Sequence, residues 1–294
     1  MFSISRHLAP TSLREAAQLL ASHPDLKLVA GGTDVLIRIR SGALEHVALL
    51  SLGRIPELKR IAMENDRTIS IGAMATFSAV FDDEEIRRHL PFLAEAAVSV
   101  GGPQIRNVAT IGGNLCNGAV SADSAPILLA LNARLQIESR DGQRIVPMGE
   151  FYAGPGKVHL GAGEILTRIL ISPSDYENMG GCYIKYSVRK AMDISNLGVA
   201  ALCRLKDGDF DDLRIALGVA APVPVRCREA QLHAIGKPAS QELIEEVGRL
   251  AVRSSRARDS WRASKAYREH LIEVLTVRAV TTAVHRARGC CHGK

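Results

Sequence analysis

Small and hydrogen-bonding residues crowd one stretch of this chain, Asn107 to Asp123, whose centre reads Thr110-Ile111-Gly112-Gly113-Asn114. Without bulky side chains in the way, a backbone can come close to a ligand and present its N–H groups, which suits the oxygens of a phosphate-bearing cofactor. A second stretch of the same chemistry stands earlier. There the apolar run Leu28-Val29-Ala30 ends in Gly31-Gly32-Thr33-Asp34, paired glycines followed by two residue types that cap helices. Two such turns on one chain predict one bound dinucleotide. In that reading, backbone N–H groups and the Thr110 and Asn114 side chains serve the pyrophosphate or ribitol oxygens of a flavin dinucleotide; the plain alternative is a tight surface turn. Asp123 has two candidate tasks, accepting from a sugar hydroxyl and capping the helix it starts.

Other constellations are weaker. Cys116 lies inside the glycine-rich stretch, but no His stands there to activate it, so a small packed thiol is expected. Arg106 and Asn107 either hold phosphate or fix the stretch by bonding to its backbone. In Tyr183 to Ser195, YIKYSVRKAMDIS, Lys185, Arg189 and Lys190 put positive charge beside Asp193. Surface ion pairs account for this as well as a second reading does, in which Lys185 reaches a flavin ring and stabilises negative charge at its N1–C2=O edge on reduction. Trp261 opens the last helix with Ser260, Ser264, Tyr267 and Arg268, and is expected in the core or as an interface anchor. At the chain end Cys290, Cys291 and His292 read as a frayed tail rather than a metal site.

The elements that must position these residues are written in the periodicity. Thr11 or Ser12 with Glu15 makes a capping pattern before Leu13, Ala16, Ala17 and Leu20, one helical stripe that Pro24-Asp25 stops. Lys27 to Ala30 reads as a strand, the glycine pair as a tight turn, Asp34 to Arg40 as a short helix with Val35, Leu36 and Ile39 inward, and His46 to Leu52 as another strand. That is a small βαβ-type unit. The turn lacks the spacing G-x-G-x-x-G, so an ordinary Rossmann fold is disfavoured. Ile61 to Met63 and Thr68 to Ile71 form a hairpin about Glu64-Asn65-Asp66, and a helix over Phe92 to Val100 ends at Gly101-Gly102-Pro103, beyond which the glycine-rich loop opens. Asp123 to Leu131 is helix again. A hairpin of Arg134 to Glu138 and Arg144 to Pro147 about Asp141-Gly142 follows, then a strand over Glu164 to Ile171. Beyond Gly180, strands over Tyr183 to Val188, Leu197 to Leu205 and Leu213 to Val219 precede helices over Ser240 to Val252 and Ser264 to Arg286.

With 294 residues, 47% of them hydrophobic, the chain can bury a substantial core and divide into subdomains. Its 37 basic residues against 31 acidic ones are scattered, with a modest concentration between Arg249 and Arg288. Aromatic residues are too sparse for a base-stacking platform, so nucleic-acid binding is disfavoured and a solvated basic face is preferred. The opening MFSISRHLAPTSLREAAQLL breaks any secretory apolar run with charges and a proline, and no window reaches the length of a membrane span. A cytoplasmic protein is expected. The six cysteines include no Cys-x-x-Cys, which argues against a disulfide framework and against an iron–sulfur or structural zinc site on this chain.

Together the segments AGGTDVL, GPQIRNVATIGGNLCNGAVSADSAP, YAGPGKV, RKAMDIS and SWRASKAYREHL closely resemble the FAD-binding subunits of the molybdenum hydroxylase family. The similarity runs essentially end to end and is greatest to the bacterial xanthine dehydrogenase branch. It implies an α+β fold: a FAD-binding domain of the vanillyl-alcohol-oxidase (PCMH) type over residues 1–176, with a small βαβ-type subdomain (1–57) and a larger α+β subdomain (58–176). A C-terminal CO-dehydrogenase-flavoprotein-like domain, an antiparallel sheet plus helices, would occupy 177–294. The resemblance also implies which residues hold FAD. The first turn, Val29, Ala30, Gly31, Gly32, Thr33, Asp34 and Val35, would bind pyrophosphate through backbone N–H groups, and Gly101, Ala109, Thr110, Gly113, Asn114 and Asp123 would touch the cofactor from the second. Leu166 and Lys185 match positions that border the isoalloxazine, and Val100 stands where some relatives stack an aromatic ring. No residue is assigned as catalytic, since the flavin carries the chemistry. The implied partners are a molybdopterin-binding large subunit and a [2Fe–2S] subunit, with electrons from a purine arriving through the clusters and leaving as hydride to NAD+. The cysteine-bearing insertion of the hydroxybenzoyl-CoA reductase branch has no counterpart. Alternatives are a CO-dehydrogenase or aldehyde-oxidising sibling, a stand-alone flavin oxidase, and a binding module that has lost its flavin.

Overall fold

Charged and half-exposed residues hide the first strand, β1 (Ile4–Leu8), from any reading of alternation, yet it begins the chain's first sheet. A computed structural model describes residues 3–290; Cys291 and His292 lie outside the described residues, as does the side chain of Cys290. After β1 come α1 (Leu13–Ser22), β2 (Leu26–Val29), α2 (Val35–Arg40) and β3 (Val47–Ser51), with the strands parallel in the order β1-β3-β2. The capping pattern ahead of α1 is reciprocal: Ser12 Oγ accepts the Glu15 N–H at 3.2 Å, and the Glu15 carboxylate accepts the Thr11 N–H at 2.9 Å. In α2 only Ile39 is buried, against Val29, Val47 and Leu49, while Leu36, expected inward, faces out. Six residues make too short a helix to bury a whole stripe.

The middle of the chain runs β4 (Ile61–Met63), β5 (Ile69–Gly72), α3 (Phe77–Asp82), α4 (Glu84–His89), α5 (Pro91–Val98), α6 (Pro103–Arg106), α7 (Ile111–Cys116) and α8 (Ser124–Ala130). Then follow β6 (Arg134–Ser139), β7 (Gly142–Pro147), α9 (Met148–Phe151), β8 (Tyr152–Gly154), β9 (Lys157–Val158) and β10 (Ile165–Ile171). Both expected hairpins form, and β10 joins them into one antiparallel sheet, β4-β5-β10-β6-β7. Helices α3 and α4 were not foreseen. Each has a side-chain cap, from Thr76 and Asp83, but at six residues apiece neither displays a full hydrophobic period.

The last part is β11 (Gly180–Tyr186), β12 (Leu197–Lys206), β13 (Asp209–Gly218), β14 (Val225–Arg226), α10 (Arg228–Ala234), α11 (Gln241–Val252) and α12 (Lys265–Cys290), with the strands antiparallel in chain order. The first seven of the ten residues of β12 are all buried, because the sheet is covered on both faces there. Strand alternation splits those residues between two cores. Ala200, Leu202 and Ala216 pack with Phe92, Leu128 and the rest of the middle part, whereas Val199, Ala201 and Ile215 pack with the α11 and α12 residues Val247 and Ile272. One hydrophobic core therefore runs across the chain position where a domain boundary was expected. Trp261 belongs to neither core. It is 85% exposed, with the Arg262 guanidinium 4.1 Å from its ring centroid, so of the two places expected for it, core or interface anchor, the core is excluded.

Candidate functional site

The turn from β2 into α2 carries the first glycines. A Cβ on Gly31 would collide with the backbone carbonyl of Val108, so glycine is what lets this turn touch the second glycine-rich stretch. Gly32 holds a left-handed conformation at φ 76°, which turns the chain out of the strand. The N–H groups of Gly31, Gly32, Thr33 and Asp34 have no intramolecular acceptor among the described residues. Four adjacent free donors in a turn make a nest for an anion.

The second stretch is not the open loop expected. Thr110 caps α7 by accepting the Gly113 N–H at 3.1 Å, and the N–H groups of Ile111, Gly112 and Asn114 bond to Ala75, Ala73 and Thr110 carbonyls at 3.0, 2.9 and 2.9 Å. Its small residues serve close packing: a Cβ on Gly112 would strike Ala73, and one on Gly113 would lie 2.8 Å from Thr110 Oγ1. What remains for a ligand is the Thr110 N–H, which has no acceptor among the described residues, and side chains. Asn114 Oδ1 accepts from Ser124 Oγ at 2.7 Å, which aims the amide and leaves its NH2 free. Arg106 donates to the Val100 carbonyl at 3.1 Å and Asn107 accepts from Ser78 at 2.6 Å, so both fix the stretch in place.

Asp123 does not cap α8. Its carboxylate accepts from Lys185 Nζ at 2.8 Å and from the Tyr183 hydroxyl at 3.2 Å, in a setting where both members of the ion pair are nearly buried. Burial pushes this carboxyl above its ordinary value, opposed by Lys185 and the two hydrogen bonds. Lys185 also donates to the Ser99 carbonyl at 3.1 Å. Its ammonium bonds to Asp123 and the backbone, and Lys185 itself is not among the residues that form the cleft wall. Arg189 pairs with Asp193 at 3.3 Å, as the ion-pair reading expected. Burial pushes the Cys116 thiol up to about 12, as suits a packed residue with no activating base.

All these pieces meet around one cleft of about 940 Å³, large for a ligand pocket. Its wall contains the first turn from Val29 to Val35, then Val100, Gly101, Ala109, Thr110, Gly113, Asn114, Asp123 and Leu166, so every sequence-predicted site residue except Lys185 lies on it. Sequence reasoning missed the rest of the lining: Leu20, His23, Pro24, Lys27 and Arg38, Ser139 to Asp141, Leu160 to Ile165, and Met192 to Ile194. Gly161-Ala162-Gly163 was the signal available, a short turn of the same small residues as the two stretches that were noticed. The Arg144 guanidinium fixes it with two bonds to Glu164, both 2.7 Å, while Glu164 accepts the Gly161 N–H at 2.6 Å.

A mixed α and β fold with one cleft lined by both a free N–H nest and a fixed amide suits a dinucleotide. Residues 2–174 match the family described as the FAD binding domain in molybdopterin dehydrogenase, and residues 182–283 the CO dehydrogenase flavoprotein C-terminal domain. The chain is 43% identical over 289 residues to the xanthine dehydrogenase FAD-binding subunit of Escherichia coli O157:H7, covering 98% of this chain and 99% of the relative. It is 31% identical over 278 residues to the carbon monoxide dehydrogenase medium chain of Hydrogenophaga pseudoflava, covering 94% and 95%. Among solved structures, carbon monoxide dehydrogenase from Hydrogenophaga pseudoflava lacking the Mo-pyranopterin moiety superposes with a TM-score of 0.92 at 28% identity, covering 97% of this chain and 99% of that one. Quinoline 2-oxidoreductase from Pseudomonas putida 86 gives 0.92 at 27% identity, covering 98% and 99%. The chain belongs to the FAD-binding subunits of the molybdenum hydroxylase family, and its cofactor is FAD.

Proposed function

We propose that this chain is the electron-output subunit of a xanthine-dehydrogenase-type enzyme, assembled with a molybdopterin-binding large subunit and a [2Fe–2S] subunit and delivering hydride to NAD+. Bound FAD would supply the chemistry, accepting electrons one at a time and releasing them in pairs. The chain's own residues bind and orient it. In this reading the free N–H groups of Gly31 to Asp34 hold the diphosphate, the Asn114 amide and the Asp123 carboxylate take hydroxyl or ring polar groups, and Val100 and Leu166 border the isoalloxazine. Lys185 acts through Asp123, as a positioning residue. The observation that carries the reading is the N–H nest in a cleft that Asn114 and Asp123 also line, joined to 43% identity along nearly the whole chain.

Reduced cysteines at 116, 182, 203 and 227, none of them paired, suit the cytoplasm. Among the described residues, no helix is long and apolar enough to cross a membrane. The test is purification of the complex from its native source, with metal analysis and assay of xanthine oxidation coupled to NAD+. A yellow complex that contains molybdenum and iron and reduces NAD+ with xanthine meets the expectation. Oxidation of carbon monoxide or an aldehyde in place of xanthine would instead favour the sibling branch, to which identity is lower.

A further inference from the structure

The cleft wall holds a surplus of cationic groups once internal ion pairs are set aside. Five carboxylates line it, and four are already partnered: Asp123 with Lys185 at 2.8 Å, Asp141 with Arg140 at 3.1 Å, Glu164 with Arg144 at 2.7 Å and Asp193 with Arg189 at 3.3 Å. Of the five, Asp34 alone has no ionic partner among the described residues. Among the lysines and arginines of the same wall, Arg140 is spent on Asp141, whereas Lys27 and Arg38 make no ion pair or side-chain hydrogen bond among the described residues. Both lie close to the N–H nest along the chain. Lys27 is on β2, which enters the glycine turn, and Arg38 is on α2, which leaves it, one helical turn past Asp34. A dinucleotide's diphosphate carries two negative charges, and neutral N–H groups bind an anion best where cations offset that charge.

We propose that Lys27 and Arg38 are the cations that neutralise the cofactor's diphosphate, and that they make this cleft prefer FAD to a flavin lacking a diphosphate. The inference rests on the FAD reading and deepens it. Its test is equilibrium binding to the flavin-stripped full chain, read by flavin fluorescence, with FAD and riboflavin as probes and sodium chloride varied. For the unmodified chain, FAD affinity should fall steeply as salt rises and riboflavin affinity should not. Lys27→Gln and Arg38→Gln should each weaken FAD binding about tenfold at low salt and flatten its salt dependence, leaving riboflavin binding unchanged. Arg38→Lys should restore most of the loss. Undiminished FAD affinity and an unaltered salt slope in the double variant would overturn the proposal, and so would an equal loss of riboflavin binding, which marks a damaged cleft. Failure of the unmodified chain to take up any FAD would sink the flavin reading itself.

Discussion

At the scale of single residues, the site works through groups that are held rather than offered. Gly113 shows this: its missing Cβ leaves room for the Thr110 hydroxyl that caps its own N–H, with Ala30 of the opposing turn 3.4 Å from where a Cβ would be. Gly113→Val should wedge the two turns apart and lower the flavin content of purified protein, read as the ratio of visible to ultraviolet absorbance. A variant with full occupancy would count against this assignment. Lys185 is held too. Lys185→Met leaves Asp123 a nearly buried carboxylate with only Tyr183 as donor, at a cost of roughly 3 kcal/mol at neutral pH. The sign follows from burial. The Asp123 carboxyl already lies above its ordinary value in the fold, and without Lys185 it climbs further, so the native state retains a proton that the unfolded chain releases. The penalty is therefore absent below the ordinary carboxylate range and grows as pH rises through the folded value. Urea unfolding of both proteins across pH checks this; a difference that does not vary with pH contradicts it.

At the scale of elements, the cleft depends on short pieces fixed by single polar clamps. The turn from Gly161 to Glu164 contributes wall residues and is tied down by Arg144, which also donates to the His159 carbonyl at 2.8 Å. The Arg144 guanidinium, and then the Gly161 N–H, hold the Glu164 carboxyl below its ordinary value. Its stabilisation is therefore fully present above the unfolded carboxylate value and is lost as pH falls through the lower folded one. Glu164→Gln should cost about 1 kcal/mol at pH 7, a modest figure because Arg144 is partly exposed, and should remove part of the acid-side loss of stability. Thermal unfolding at pH 7 and in acid measures both. Equal melting shifts at the two pH values would show that the clamp is not ionic.

At the scale of the whole molecule, the C-terminal sheet is structural support for the FAD-binding part. The core facing α5 and α8 includes Ala200, Leu202 and Ala216 from that sheet, and Arg286 of α12 bonds to Glu95 at 2.6 Å and to the Gly181 carbonyl at 2.6 Å. Residues 1–176 expressed alone would expose Phe92 and Leu128 to water and lose the strand that carries Lys185 to Asp123. That fragment should unfold without a cooperative transition and retain no flavin, whereas the full chain unfolds cooperatively with both parts together. Calorimetry of the two decides; a fragment that melts sharply and stays yellow would show the halves to be independent.

The sequence by itself determined the strands with clean alternation, the long amphipathic helices and the two glycine turns, because those signals are local: period, cap and missing Cβ are all written within a few residues. It also carried the resemblance that led to FAD. Short elements escaped it, since β1, α3, α4 and α10 are fixed by what packs on them and not by a period they are long enough to show. Only the tertiary structure decided what each polar group of the site is free to do. The N–H groups of the first turn are open while those of Ile111 to Asn114 in the second are consumed, and Lys185 is bound to Asp123. The reason is physical: whether a donor is available depends on which acceptor the fold brings within 3 Å of it, and that acceptor, as with Asp123 and Lys185, lies far away along the chain.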